Sequence, residues 1–152
     1  MIKQKYIVKT PRSTESLAEQ IGTKLKGGEV IELSGDLGSG KTTFVRGLSR
    51  GVGSKDNVAS PTFTISRVYK SSKLALHHLD FYRLSEPGIM SLELSELLKD
   101  KNSALVIEWA GVTEHVLPDN RLTISFKPTA ENIREIIITG PEELKYLIPK
   151  VN

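Results

Sequence analysis

The sequence predicts an α/β fold built on a mixed sheet, mostly parallel at its centre and antiparallel at its edges. Three observations carry this expectation. Short apolar runs alternate with stretches of helical periodicity, as in layered α/β domains. One run, Ala104-Leu105-Val106-Ile107, is apolar without a break, the mark of a strand covered on both faces. The last third holds two strand-like runs, Arg121–Phe126 and Arg134–Thr139, with little helix between them, which suits antiparallel pairing at an edge. At 152 residues, 38% hydrophobic and 26% charged, the chain can bury a substantial core, and one domain over 1–152 is expected.

The elements follow in order. Tyr6–Lys9 reads as a short strand and Thr10–Ser13 as a turn. Ser16-Leu17-Ala18-Glu19 has the form of a capping box, and Leu17, Ile21 and Leu25 recur every four residues on one helix face, up to Gly27-Gly28. Glu29–Ser34 is a second strand, and a helix opening at Thr43 runs to Gly51-Val52-Gly53. Ser54–Asn57 is a polar loop. Thr62–Tyr69 alternates like a half-buried strand, Ser71–Lys73 turns the chain, and Leu74–Leu79 forms the next strand. Glu86–Lys99 reads as a helix with Leu92, Leu94, Leu97 and Leu98 making apolar contacts. From Pro141 onward the tail is a short helix at most.

Composition excludes several classes. There is no cysteine, so disulfides and thiolate metal sites are ruled out. A net charge of +3 permits an acidic partner or RNA without arguing for one. No apolar run reaches the roughly 18–20 residues of a membrane span, so no membrane association is expected. The opening residues lack the apolar core of a secretion signal, and the cytoplasm is the expected compartment.

The chemistry is concentrated between the second strand and the helix after it. Gly35-Asp36-Leu37-Gly38-Ser39-Gly40-Lys41-Thr42 is a complete G-x-x-x-x-G-K-T phosphate loop, set between a strand and a helix as that motif requires. Glycines let backbone N–H groups turn inward around phosphate oxygens, a lysine brings a fixed charge to the β- and γ-phosphates, and a threonine hydroxyl suits Mg²⁺. The expected phosphate-contacting residues are Asp36, Leu37, Gly38, Ser39, Gly40, Lys41, Thr42 and Thr43. Hydrolysis needs carboxylates as well, and these belong at the C-terminal ends of strands, where ligands of α/β sheets bind. Asp80 and Glu108 stand at two such ends, and either could take the metal side with the other on the water; Asp36 is a weaker third candidate. Ser60-Pro61-Thr62 falls where switch segments of phosphate-loop proteins lie, and the Thr62 hydroxyl could face the γ-phosphate.

Neighbouring residues have plainer readings. His77 and His78 are adjacent in a strand and face opposite ways, so they do not share a metal; one is expected to be buried and hydrogen-bonded. Arg83 could reach a phosphate, although a surface ion pair is the commoner fate. Trp109, the sole tryptophan, is expected to pack over the site. Arg46, Arg50, Lys55, Arg67, Lys70, Lys73 and Arg83 read as solvated surface charge rather than an RNA patch.

Four segments together are distinctive: Gly35–Thr43, Ser60-Pro61-Thr62-Phe63-Thr64, His78-Leu79-Asp80-Phe81-Tyr82-Arg83-Leu84 and Ile107-Glu108-Trp109. In this order and spacing they resemble the TsaE family, also known as YjeE, from about Ser13 to about Ile138. The resemblance implies a three-layer P-loop NTPase fold and a small bacterial ATPase needing ATP and Mg²⁺. Such proteins serve in making N6-threonylcarbamoyladenosine at position 37 of tRNAs that read codons starting with A. TsaC makes threonylcarbamoyl-AMP, TsaD paired with TsaB transfers the group, and TsaE binds that pair and supports repeated turnover, hydrolysing weakly alone. By motif position Lys41 matches the phosphate-binding lysine, Thr42 the Mg²⁺ hydroxyl, Glu108 the acid associated with Mg²⁺, Asp80 an acid needed for hydrolysis, and Thr62 the switch-like threonine. Adenine contacts are implied near Thr10–Ser13 and Asn132; some relatives carry an arginine just before that asparagine, where this chain has Glu131. Two other functions compete with the ATPase: a small-molecule kinase, for which no long lid insertion is evident, and a nucleotide-gated binding module with incidental hydrolysis.

Overall fold

The computed structural model describes residues 1–36, 38–59, 66–81, 88–109 and 117–150. Its elements in chain order are β1 (Ile2–Val8), α1 (Pro11–Gly22), β2 (Val30–Ser34), α2 (Lys41–Val52), β3 (Ser66–Lys70), β4 (Ala75–Asp80), α3 (Gly88–Lys99), β5 (Ser103–Glu108), β6 (Leu122–Ala130), β7 (Ile133–Gly140) and a 3₁₀ turn, Glu142–Leu147. The strands form one mixed sheet in the order β1-β7-β6-β2-β5-β4-β3. Its centre, β6-β2-β5-β4, is parallel, while β3 at one edge and the β7-β1 pair at the other run antiparallel. Among the described residues no helix is long and apolar enough to cross a membrane.

Strand parity decides which side chains share a face. Every residue of β5 is buried, as its unbroken apolar run requires. Ala104 and Val106 join the core beneath α1 and α2, with Ile31, Leu33, Phe44 and Leu48. Leu105 and Ile107 join a second core on the other face, with Leu79, Leu94 and Val30. Helices therefore cover the sheet from both sides, in three layers. Counting by twos, Leu76, His78 and Asp80 of β4 and Val106 and Glu108 of β5 share the α2 face.

Two expectations about α1 are corrected. Its N-terminus lies at Thr10-Pro11, where the sequence suggests a turn, and not at the Ser16–Glu19 box. Thr10 is the N-cap, its Oγ1 accepts from the Ser13 N–H at 3.0 Å, and Pro11 fills the first helical position, where no N–H is missed. The helix ends at Gly22 rather than Gly27-Gly28, yet Leu25 beyond it is fully buried, so the apolar stripe outlasts the helix. In α3, Leu94 packs as expected, but Leu92 is 72% exposed and makes no core contact. The first strand begins earlier than Tyr6, because pairing with β7 extends it back to Ile2. Of the strand expected over Thr62–Tyr69, the part before Ser66 lies outside the described residues.

α1 and α2 approach through glycine. A Cβ on Gly47 would lie 2.3 Å from the Glu15 carbonyl oxygen and 2.7 Å from Ala18 Cβ. Gly47→Val is expected to destabilise the fold by about 1–3 kcal/mol through overpacking. The check is a lower urea midpoint at unchanged m-value.

His77, on the other face of β4 from His78, is half-buried, and that burial lowers its pKa against the opposing pull of Asp100 and Glu93. The folded state thus disfavours the imidazolium. Its stability contribution is complete above about pH 6.5 and is lost as pH falls toward the lowered folded value. His77→Gln is expected to lose less stability than the parent between about pH 7 and about pH 5, read as the difference between their urea midpoints.

Candidate nucleotide-binding site

β2 stops at Ser34 and α2 starts at Lys41, and the chain between them turns on glycine. Gly38 (φ 77°) and Gly40 (φ 107°) are left-handed, and a Cβ on either would meet nothing within 4 Å among the described residues. Backbone conformation therefore favours glycine at both positions. The first N–H groups of α2 have no partner within the helix, so the turn is a place where an anion would fit. Ser39 Oγ is buried without a hydrogen-bond partner among the described residues, a group that a bound oxyanion would satisfy.

Lys41 is nearly buried, at 6% exposure. Its Nζ donates to the Gly35 carbonyl at 2.6 Å and stands 3.7 Å from Glu108 Oε1. It also lies 4.6 Å from the centroid of the Trp109 ring, a cation–π distance. Trp109 follows β5 directly with φ 58°, a left-handed conformation that bulky residues avoid and that costs about 1–3 kcal/mol. The tryptophan thus stacks on the loop lysine, as a residue packed over the site should.

The two strand-end carboxylates are brought together. Asp80 and Glu108 are register partners on β4 and β5, each 3% exposed. His78, fully buried, reaches Glu108 Oε2 through its Nε2 at 2.5 Å. Of the two histidines His78 is thus the buried, bonded one. Thr42, at the start of α2, and the two carboxylates carry only oxygen donors, the kind that a hard divalent cation would take. Asp36, by contrast, is exposed. Leu37, Thr62 and the rest of its Ser60–Thr64 segment, Tyr82 and Arg83 lie outside the described residues.

A cavity of about 140 Å³ adjoins the loop, lined by Thr10, Pro11, Thr14, Gly38, Gly40, Thr43, Asn132 and Arg134. Both neighbourhoods implied for adenine contacts, near Thr10 and near Asn132, meet there. Asn132 sits at φ 65° in the tight β6–β7 connection, a conformation asparagine tolerates. Arg134 is the basic residue in this lining. The sequence does not single out Arg134 or Thr14, although each adjoins one of the two implied neighbourhoods. A wider groove of about 640 Å³ between β1 and α1 shares only Thr10 with this cavity and is lined by no phosphate-loop residue among those described. Arg46 and Arg50 pair with Glu15 and Glu19 across α1 and α2, as surface charges do.

A strand–glycine loop–helix unit with acids at the ends of neighbouring parallel strands, in a sheet covered on both faces, defines a P-loop NTPase fold. The family model described as "Threonylcarbamoyl adenosine biosynthesis protein TsaE" matches residues 8–136. The chain belongs to the TsaE family, which is involved in tRNA threonylcarbamoyladenosine biosynthesis. It is 39% identical over 140 residues to the tRNA threonylcarbamoyladenosine biosynthesis protein TsaE of Bacillus subtilis (strain 168), covering 92% of this chain and 87% of that one. To the Streptomyces coelicolor protein of the same description it is 37% identical over 132 residues, covering 82% and 88%. The crystal structure of Bacillus subtilis YdiB superposes with a TM-score of 0.77 at 31% identity, covering 96% of this chain and 91% of that one.

Proposed function

We propose that this chain is a single-domain, Mg²⁺-dependent ATPase that supports repeated turnover of the TsaD–TsaB complex in tRNA position-37 modification, in the cytoplasm. The observation that carries the reading is the buried Lys41–Glu108 contact, 3.7 Å, at the mouth of a glycine loop. A cation and a carboxylate are hard to bury unless paired, and here both sit where a triphosphate and its metal would bind. The glycine turn at Gly38–Gly40, the Ser39 hydroxyl, which has no hydrogen-bond partner among the described residues, and the nearby oxygen-bearing side chains fit such a ligand.

Residue roles follow from position. Backbone N–H groups from Asp36 to Thr43, including Leu37 and Ser39, hold the phosphates, and Lys41 compensates charge that grows on the γ-phosphoryl oxygens. Thr42 and Glu108 are assigned to hold Mg²⁺, which would supply positive charge against the phosphates. Asp80 is assigned to orient the attacking water and Thr62 to face the γ-phosphate. Thr10, Thr14, Asn132 and Arg134 receive the nucleoside end. Low activity of the isolated chain has a physical basis: Lys41 must leave the Gly35 carbonyl and Glu108 before it serves a phosphate.

The test is ATP hydrolysis to ADP and phosphate with and without TsaD–TsaB. Mg²⁺-dependent release of phosphate that rises several-fold with the complex is expected. Absence of any stimulation would remove the link to turnover. Label passing from ATP to an added acceptor would instead mark a kinase.

A further inference from the structure

We infer that His78 is the positioning residue of this site: its Nε2–H fixes Glu108 so that a single carboxylate oxygen, Oε1, faces Lys41 and would be the one offered to a metal. The inference rests on the ATPase reading above and gives a role to a residue outside the phosphate-contacting set. His78 is fully buried, on the same face of β4 as Asp80, and stands opposite Val106 in the register. Glu108 lies two residues beyond Val106, so its side chain reaches back diagonally to the imidazole, 2.5 Å away. A carboxylate oxygen can only accept, which places the proton on Nε2. The other oxygen, Oε1, is the one 3.7 Å from Lys41.

Without that donor Glu108 would have two equivalent oxygens and a neighbour, Asp80, of like charge directly beside it in the register. Rotation of the carboxylate would then exchange the oxygen offered to the metal. The histidine is itself held. Tyr69, 2% exposed, packs against the imidazole with ring centroids 6.2 Å apart. The Tyr69 hydroxyl donates to the Ala59 carbonyl at 2.9 Å. Nδ1 has no hydrogen-bond partner among the described residues, so the contact with Glu108 is the polar interaction that accounts for a histidine here. Groups that orient a metal-binding carboxylate typically change metal affinity or activity by about 10–100-fold when removed.

The experiment uses the full chain with TsaD–TsaB and the variants His78→Phe, His78→Gln and His78→Asn. Glutamine places an amide N–H near the reach of Nε2, and asparagine falls short of it. ATP binding is followed by Trp109 fluorescence with and without Mg²⁺, and hydrolysis is measured against Mg²⁺ concentration. His78→Phe is expected to bind ATP without metal within about threefold of the parent, but to need about 10–100-fold more Mg²⁺ for half-saturation. His78→Gln should recover most of the loss. A two-bond ¹H–¹⁵N spectrum of the parent should show the proton of His78 on Nε2, lost from its slowly exchanging state in Glu108→Ala. Unchanged Mg²⁺ dependence in His78→Phe would overturn the inference. If that variant does not fold, His78→Gln outperforming His78→Asn in the Mg²⁺ titration supports it, and equal behaviour overturns it. A parent chain that binds no ATP would instead overturn the ATPase reading, an outcome visible before any variant is compared.

Discussion

Lys41→Ala is expected to lower ATP hydrolysis by about 10²–10³-fold, the usual cost of removing one group aimed at developing negative charge. The expectation comes from three contacts seen together. The ammonium sits at the head of α2, bonded to the Gly35 carbonyl, within 3.7 Å of Glu108 and 4.6 Å of the Trp109 ring centroid. Alanine removes the cation from all of them. ATP binding should weaken as well, because the lysine acts on ground-state phosphates and not only on the transition state. Folding should suffer too, since Glu108 at 3% exposure loses a compensating cation, at about 1–3 kcal/mol. A readout independent of activity is available: the fluorescence of the sole tryptophan should shift when the charge beneath it disappears. Unchanged hydrolysis and unchanged fluorescence would show that Lys41 does not face the reaction. Lys41→Met, which keeps the apolar stem under the indole, separates lost packing from lost charge.

Asp80→Asn should act differently. Asparagine matches the aspartate in shape, so the strand end and the β4–β5 register should persist, while the acceptor for a water proton is lost. Hydrolysis is expected to fall by about 10²-fold or more, with ATP binding nearly unchanged. The same variant discriminates between an engine and a switch. Assembly with TsaD–TsaB is expected to survive while multiple-turnover tRNA modification collapses. Modification that continues unimpaired would sink the hydrolysis-centred mechanism and favour the nucleotide-gated module.

The phosphate loop is legible in the sequence because its chemistry is local: glycines, a lysine and a threonine at fixed spacing between a strand and a helix. β5 is legible because an unbroken apolar run has few other homes. Asp80 and Glu108 can be placed at strand ends, but not beside each other, because their adjacency depends on the β4–β5 register. The same register brings His78 to Glu108, so spacing along the chain does not reveal that bond. The start of α1 is easily misread because Ser16 and Glu19 match a capping pattern, while the Thr10-Pro11 signal lies upstream of it. Arg134 reaches the cavity through the β6–β7 turn, where a single asparagine holds a left-handed conformation.

The β1–β7 pairing also sets an order of events during synthesis. Ile2 lies opposite Gly140 and Val8 opposite Arg134, so β1 waits for β7, the last strand of this sheet in sequence. The phosphate loop, β4, β5 and both acids emerge from the ribosome well before Asn132 and Arg134 do. A nascent chain therefore holds the whole glycine loop and both strand-end acids before it can close the cavity that Asn132 and Arg134 line. Its sheet edge is sealed last, by a contact of very high sequence separation that is slow to form. Ribosome-bound chains stopped just short of β7 would leave Tyr6 and Val8 unpaired, making that stage the one most exposed to aggregation and most dependent on chaperones.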